Sequence, residues 1–386
     1  MGSWEKSLAD PYKVGQADTT YFAHTSPMET PAASTSTSVS QPINPGEMAK
    51  FVERVNRLSI GKSQNIRKGE PWFEDGNIVL ITTREDSTAF RVHRGVLSRQ
   101  SEIFNDMFQM PQSLTDVTAT YEGCLVVNMH DLPSELSNLI KALYDGPTFS
   151  NNHPNGFFYL AGILRLATKY FIEHLRQSCI QYLRQTWPST LKGHDDMVEL
   201  ALSSPTVNDL TFPYVHPLHV LNLARENNVN SIIPSALYFL SLYSLSGILH
   251  ADHPKLLLEH PSKPSSMLSP SDVMLYSLMY QHRLQIMENF IREFCESRAT
   301  QPKCGAPGMS LCRKGFTKLV SQLYRSCYLR TGPLHFILQA IHKINHGGVV
   351  CEFCSLEFFQ SAERLRQEIW DELPTVAQLP PWNRLD

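Results

Sequence analysis

The sequence predicts an α+β fold, a small sheet flanked by helices over residues 71–186, continued by an all-helical region over 187–374. Three observations predict it. The β-branched run 78–83 (IVLITT) follows the turn signal Asp75-Gly76 and is separated by a polar break from 89–92 (AFRV), so two neighbouring strands are expected. Strands are then followed by runs of helical periodicity, which points to α+β and away from a parallel α/β sheet. Finally, 163–183 and 220–240 repeat without a gap, Leu164 on Leu221, Ala167 on Ala224 and Ile172 on Val229, each a helix, a polar turn and a second helix.

Residues 1–45 are rich in Ser, Thr and Pro and too poor in apolar surface to offset chain entropy, so a disordered tail is expected. Residues 46–70 read as an amphipathic helix and linker, with Met48, Phe51, Val52, Val55 and Leu58 on one stripe. Gly61-Lys62-Ser63 is no phosphate loop, because Asn56 stands where the first glycine belongs. Ser101 is placed to cap a helix carrying Ile103, Phe104, Met107 and Phe108. A third strand is expected at 124–129, then a helix from Pro133 to the stop at Gly146. Further helices fill 270–374, the first capped by Ser271, and the Glu363/Arg366/Glu368 stretch reads as a solvated face. The tail 375–386 is expected to be irregular.

With 386 residues, a net charge of −3 and no run of five Lys/Arg, the chain lacks the basic footprint of a nucleic-acid or anionic-membrane binder. No secretory signal pattern opens it, and the uncharged stretch 232–249 contains Pro234, Gly247 and four serines, so a buried helix is expected there, not a membrane span. Eight cysteines in a long chain, six of them crowded into its last quarter, suit a reducing compartment, cytoplasm or nucleus.

The string 71–111 resembles the opening of a BTB/POZ domain. Its signature residues here are Asp75, Phe90, Val92, His93, Arg94 and Leu97, then Ser101, Phe104, Met107 and Phe108. The pieces LSNLIKALYDG and LAGILRLATKYFIEHLRQSCIQYL resemble the helices that follow in that fold. The wording FEDGNIVL and LRLATKY, with LARE and IIPSALY further on, is similar to BTB proteins of higher fungi with a helical C-terminal extension. The resemblance implies a non-enzymatic protein–protein interaction module, a homodimerising adaptor or scaffold whose 46–60 helix packs across a two-fold axis. In some members it implies a substrate receptor for a cullin-type ubiquitin ligase. A transcriptional regulator is the further alternative.

Two constellations carry chemistry. His93 lies beside Arg94 without a nucleophile nearby, so a structural polar role is expected, with Asp75 as a charge partner for Arg94. Cys351 and Cys354 form a C-x2-C pair after Gly347-Gly348, while Cys304 and Cys312 flank a Gly/Pro-rich stretch read as a loop. Four thiolates so placed suit a closed structural Zn²⁺ site, with Cys295, Cys327 and His335 as substitute ligands. The competing reading is four reduced cysteines, two of them core fillers.

Overall fold

β-Branched and aromatic residues decide the sheet. The computed structural model describes residues 66–83, 87–110, 120–326 and 332–385. Within them β1 (Arg67–Lys68), β2 (Ile78–Thr82), β3 (Thr88–Val92), β4 (Thr120–Tyr121) and β5 (Cys124–Met129) form one sheet in the order β1-β3-β2-β5-β4. The two-residue strands β1 and β4 are too short to show in the apolar pattern and extend the expected three strands to five. β2 is antiparallel to β3, with Leu80 opposite Phe90, and parallel to β5, with Ile78 opposite Leu125. Ile78, Leu80, Phe90 and Val92 enter the main core, whereas Val79, Ile81, Ala89 and Cys124 face a smaller one against Trp72 and Tyr121. A strand buried on both faces explains why IVLI is apolar throughout instead of alternating.

Helices α1 (Arg94–Gln100), α2 (Glu102–Gln109), α3 (Pro133–Asp145), α4 (Pro154–Lys169) and α5 (Glu173–Thr186) follow, and Leu97, Phe104, Leu136, Leu139 and Leu164 join the main core. Next come α6 (Leu191–Ser203), α7 (Pro217–Glu226) and α8 (Ile233–Leu240), with a single 3-10 turn at Asn230–Ile232. The repeat read from the sequence is structural. α4–turn–α5 and α7–turn–α8 both turn through a left-handed residue, Phe171 at φ 50° and Asn228 at φ 54°. The following amides reach back equivalently, Ile172 N–H to Ala167 O at 2.8 Å and Val229 N–H to Ala224 O at 2.9 Å.

Asn suits that conformation, but an exposed phenylalanine does not. Phe171→Asn is therefore expected to stabilise the chain by about 1 kcal/mol. A higher urea midpoint would show it, and an unchanged or lower one would mean that Phe171 has packing the static fold does not reveal.

The uncharged stretch 232–249 is divided between α8, which is buried, and α9 (Leu245–His250), of which only Ile248 is buried. Among the described residues no helix is long and apolar enough to cross a membrane. α10 (Pro270–Asn289) is capped by Ser269, whose Oγ accepts the Asp272 amide at 3.1 Å; the expected cap Ser271 lies inside the helix, because Pro270 takes the first helical position. A π-helical turn, Phe290–Cys295, leads into α11 (Glu296–Thr300), then α12 (Ala306–Ser326), α13 (Pro333–Gly347) and α14 (Glu352–Val376).

One continuous core runs from Ile78 to Ala377, so the helical region is packed onto the sheet unit. Arg165 of α4 fastens the junction, reaching Glu135 of α3 at 3.2 Å, Glu226 of α7 at 2.9 Å and the Ser262 carbonyl at 2.8 Å. The solvated-face reading of α14 is corrected at Arg366, which is 1% exposed. Its guanidinium meets Asp195 of α6 at 2.5 Å, Glu363 at 3.0 Å and the Leu334 carbonyl at 3.2 Å, and those acceptors make its burial tolerable. Beyond α14 the tail folds back, with Trp382 stacked on Trp370 at 5.5 Å and donating to its carbonyl at 3.0 Å.

Candidate functional site

Four sulfurs, not a cleft, are the densest chemical feature of the helical region. The Sγ atoms of Cys304, Cys312, Cys351 and Cys354 all lie within 4.8 Å of one another. The stretch 304–312 is not the loop that its Gly and Pro residues suggest. α12 begins at Ala306, so Cys304 precedes the helix and Cys312 stands in its second turn. Cys351 is the N-cap of α14 and Cys354 lies in its first turn, so all four thiols gather at two helix N-termini, where the backbone favours negative charge.

Two glycines make the convergence possible. Gly348 ends α13 at φ 59°, a left-handed turn that L side chains resist. Gly315 lets α12 approach that turn, since a Cβ there would stand 2.6 Å from Val350 Cγ2 and 3.0 Å from the Val349 carbonyl oxygen. The Cys351 amide donates to Cys312 Sγ at 3.2 Å. The Cys354 amide holds the Cys351 thiol below its ordinary pKa, whereas burial pushes Cys312 and Cys354 up. A tetrahedral zinc–thiolate centre with bonds near 2.3 Å needs sulfurs about 3.8 Å apart, within reach of this cluster. Cys295, read as a substitute ligand, is buried outside it, and His335 is half-buried outside it, while Cys327 lies outside the described residues.

The signature residues of the sheet unit meet as follows. His93 follows β3 and is the N-cap residue of α1. Its Nε2 lies 3.2 Å from Asp75 Oδ1, and its Nδ1 lies 2.9 Å from the Tyr144 hydroxyl, which also accepts the His93 amide at 3.0 Å. Hydrogen bonding to His93 pulls the Asp75 carboxyl below its usual pKa. Asp75 thus meets His93 and not the expected Arg94, which donates instead to the Phe108 carbonyl at 2.5 Å and lies over the Phe108 ring. The Arg94 amide is capped by Asn77 Oδ1 at 2.8 Å. Ser101 caps α2 by accepting from the Phe104 amide at 3.1 Å and donates to the Tyr170 carbonyl at 2.6 Å. Phe104 stacks on Tyr170 at 4.6 Å; Phe90, Val92 and Leu97 are buried, and Met107 packs against the same core. Tyr170 and Lys169 both hold the buried Asp131, the latter at 2.6 Å. These groups orient the helices around the sheet.

Residues 77–186 match the family model of the BTB/POZ domain. This part of the chain is a BTB/POZ domain. No curated protein matches the chain. BTB/POZ domains are protein-interaction modules, and the signature polar groups here serve the domain's own architecture. Tyr144, Asn77 and Asp131 escape sequence reasoning because their partners stand 17 to 51 residues away and leave no short-range spacing. The expected dimer stripe, Met48, Phe51, Val52, Val55 and Leu58, lies outside the described residues.

Proposed function

We propose that this chain is a non-catalytic adaptor, a BTB/POZ domain that pairs with a second copy and carries a firmly attached helical region that selects partners. The observation that carries the reading is the family match over 77–186, joined by a single core to α6–α14. An adaptor transmits position through a rigid junction, and the Arg165 hub supplies one. The amphipathic 46–60 segment is the reading's isologous contact, with Met48, Phe51, Val52, Val55 and Leu58 self-complementary about a two-fold axis. The Cys304/Cys312/Cys351/Cys354 centre holds a structural Zn²⁺ in this reading, supported by sulfur convergence at two helix N-termini. A reducing compartment, cytoplasm or nucleus, fits seven described cysteines that form no disulfide.

Native mass spectrometry of the full chain tests both parts together. The expected mass is that of two chains with one zinc ion each, and Phe51→Asp with Val55→Asp should halve it while keeping the metal. A monomeric parent would remove the homodimer. A metal-free parent, purified under reducing conditions, would remove the zinc.

A further inference from the structure

Between Glu296 and Glu352 the chain has no acidic residue. Those 55 residues carry eight Lys/Arg, although 37 of 386 residues overall are acidic and about five would be expected in a stretch of that length. The remaining 331 residues hold 26 basic against 37 acidic side chains, so positive charge is segregated into α12, α13 and their flanks. Cations of this segment that meet an acidic residue of the fold are paired. Arg298 and Lys303 both bind Glu357, at 2.9 and 2.6 Å. Lys314, Lys318 and Arg325 are different. All three are exposed, and none forms an ion pair among the described residues. With the exposed Ser321 they occupy positions i, i+4, i+7 and i+11 of α12, a single stripe along one face. Exposed Leu311 and Tyr324 flank the stripe on its two sides.

We infer that this face of α12 docks an acidic, partly apolar segment of a partner protein, an inference that rests on the adaptor reading and names the chemistry of its partner. Three unpaired cations, on the first, second and fourth turns of the stripe, match carboxylates spaced along an extended or helical segment, and the flanking Leu311 and Tyr324 take its apolar side chains. A nucleic acid is the less suited occupant, because three cations on one helix neutralise few phosphates in a chain of net charge −3. The salt sensitivity of binding and its orientation come from the stripe, since charges at an interface rim govern encounter and register.

Fluorescence anisotropy of the full chain tests this with a labelled peptide of four Glu-Leu-Glu-Phe repeats, its mirror of four Lys-Leu-Lys-Phe repeats, and a 16-nucleotide single-stranded DNA. The acidic peptide is expected to bind the parent, more weakly as salt rises. The triple variant Lys314→Glu, Lys318→Glu, Arg325→Glu should lose about tenfold or more in affinity and prefer the Lys peptide. Should that variant misfold, the Gln triple variant gives the loss without the reversal. Equal acidic-peptide binding by parent and variant would overturn the inference. So would tighter binding of the DNA at equal salt, or a parent self-association that charge reversal abolishes. A monomeric parent that still binds the acidic peptide would sink the dimer and leave the stripe standing; a dimer blind to the peptide does the reverse.

Discussion

For the zinc centre proposed above, chelating the ion from the reduced chain is expected to cost about 4 kcal/mol of stability, the linkage free energy for a site held at a thousandfold excess of free ion over its dissociation constant. The loss concentrates where the four thiols meet. Without the ion, Cys304 and Cys312 at the start of α12 and Cys351 and Cys354 at the start of α14 have, among the described residues, one backbone-to-sulfur contact between the two helices, the Cys351 amide on Cys312. Hydrogen exchange should therefore speed up around 304–316 and 349–356 while β2, β3 and β5, which carry none of the four thiols, stay protected. Cys354→Ser removes one ligand and should reproduce both effects. Cys124→Ala, in the sheet, should leave the metal content unchanged. Stability indifferent to the chelator, in a parent shown to contain zinc, would relegate the centre to a passenger on an already sufficient core.

The sheet unit was legible because each of its signals is local. A turn dipeptide, a β-branched run and a serine three residues before Phe104 need no knowledge of the rest of the chain. The helical repeat was legible for the same reason, since both copies keep the apolar positions on either side of a left-handed turn. The polar interior was not. Arg366 reads as a surface residue between Glu363 and Glu368, and two of the acceptors that make its burial tolerable, Asp195 and the Leu334 carbonyl, stand 171 and 32 residues away. His93 announced itself, but its partner Tyr144 did not. The thiol centre stands between these cases. Cysteine is rare enough for the four ligands to be picked out by type, yet Pro307 and Gly308 suggested a loop. Proline is welcome in the first turn of a helix, so that signal is ambiguous, and the helix start it marks was visible only once α14 was packed beside it.

Acidification from pH 7 to pH 5 is expected to destabilise the chain strongly, by roughly 2 kcal/mol for each fully buried neutral histidine. His194, His216 and His219 are such residues. Burial drives His194 down to about 3 and His219 to about 4, and holds His216 well below its ordinary value. Among the described residues His194 Nδ1 and His216 Nε2 have no hydrogen-bond partner, and His194 is enclosed by the rings of Tyr238, Phe239 and Trp370. A charge in such a place has nothing to compensate its lost hydration. The unfolded chain takes up protons at these imidazoles below about pH 6.5 and the folded chain does not, so the stability they confer is intact above that pH and is lost progressively down to about pH 4. Three residues together amount to about 6 kcal/mol, comparable with the whole stability of many domains. Glu357, which Arg298, Lys303 and Ser361 hold down to about 2, keeps its charge throughout this window. Urea midpoints of the parent and of His194→Phe at pH 7 and pH 5 isolate one imidazole, because the acid sensitivity of the thiol centre is common to both proteins. The variant should lose about 2 kcal/mol less than the parent between the two pH values, as its phenyl ring stays within the same aromatic cage without a proton to gain. Identical losses would mean that water reaches His194 in the folded chain, and that the packing of α14 against α6 and α8 is looser than its contacts imply.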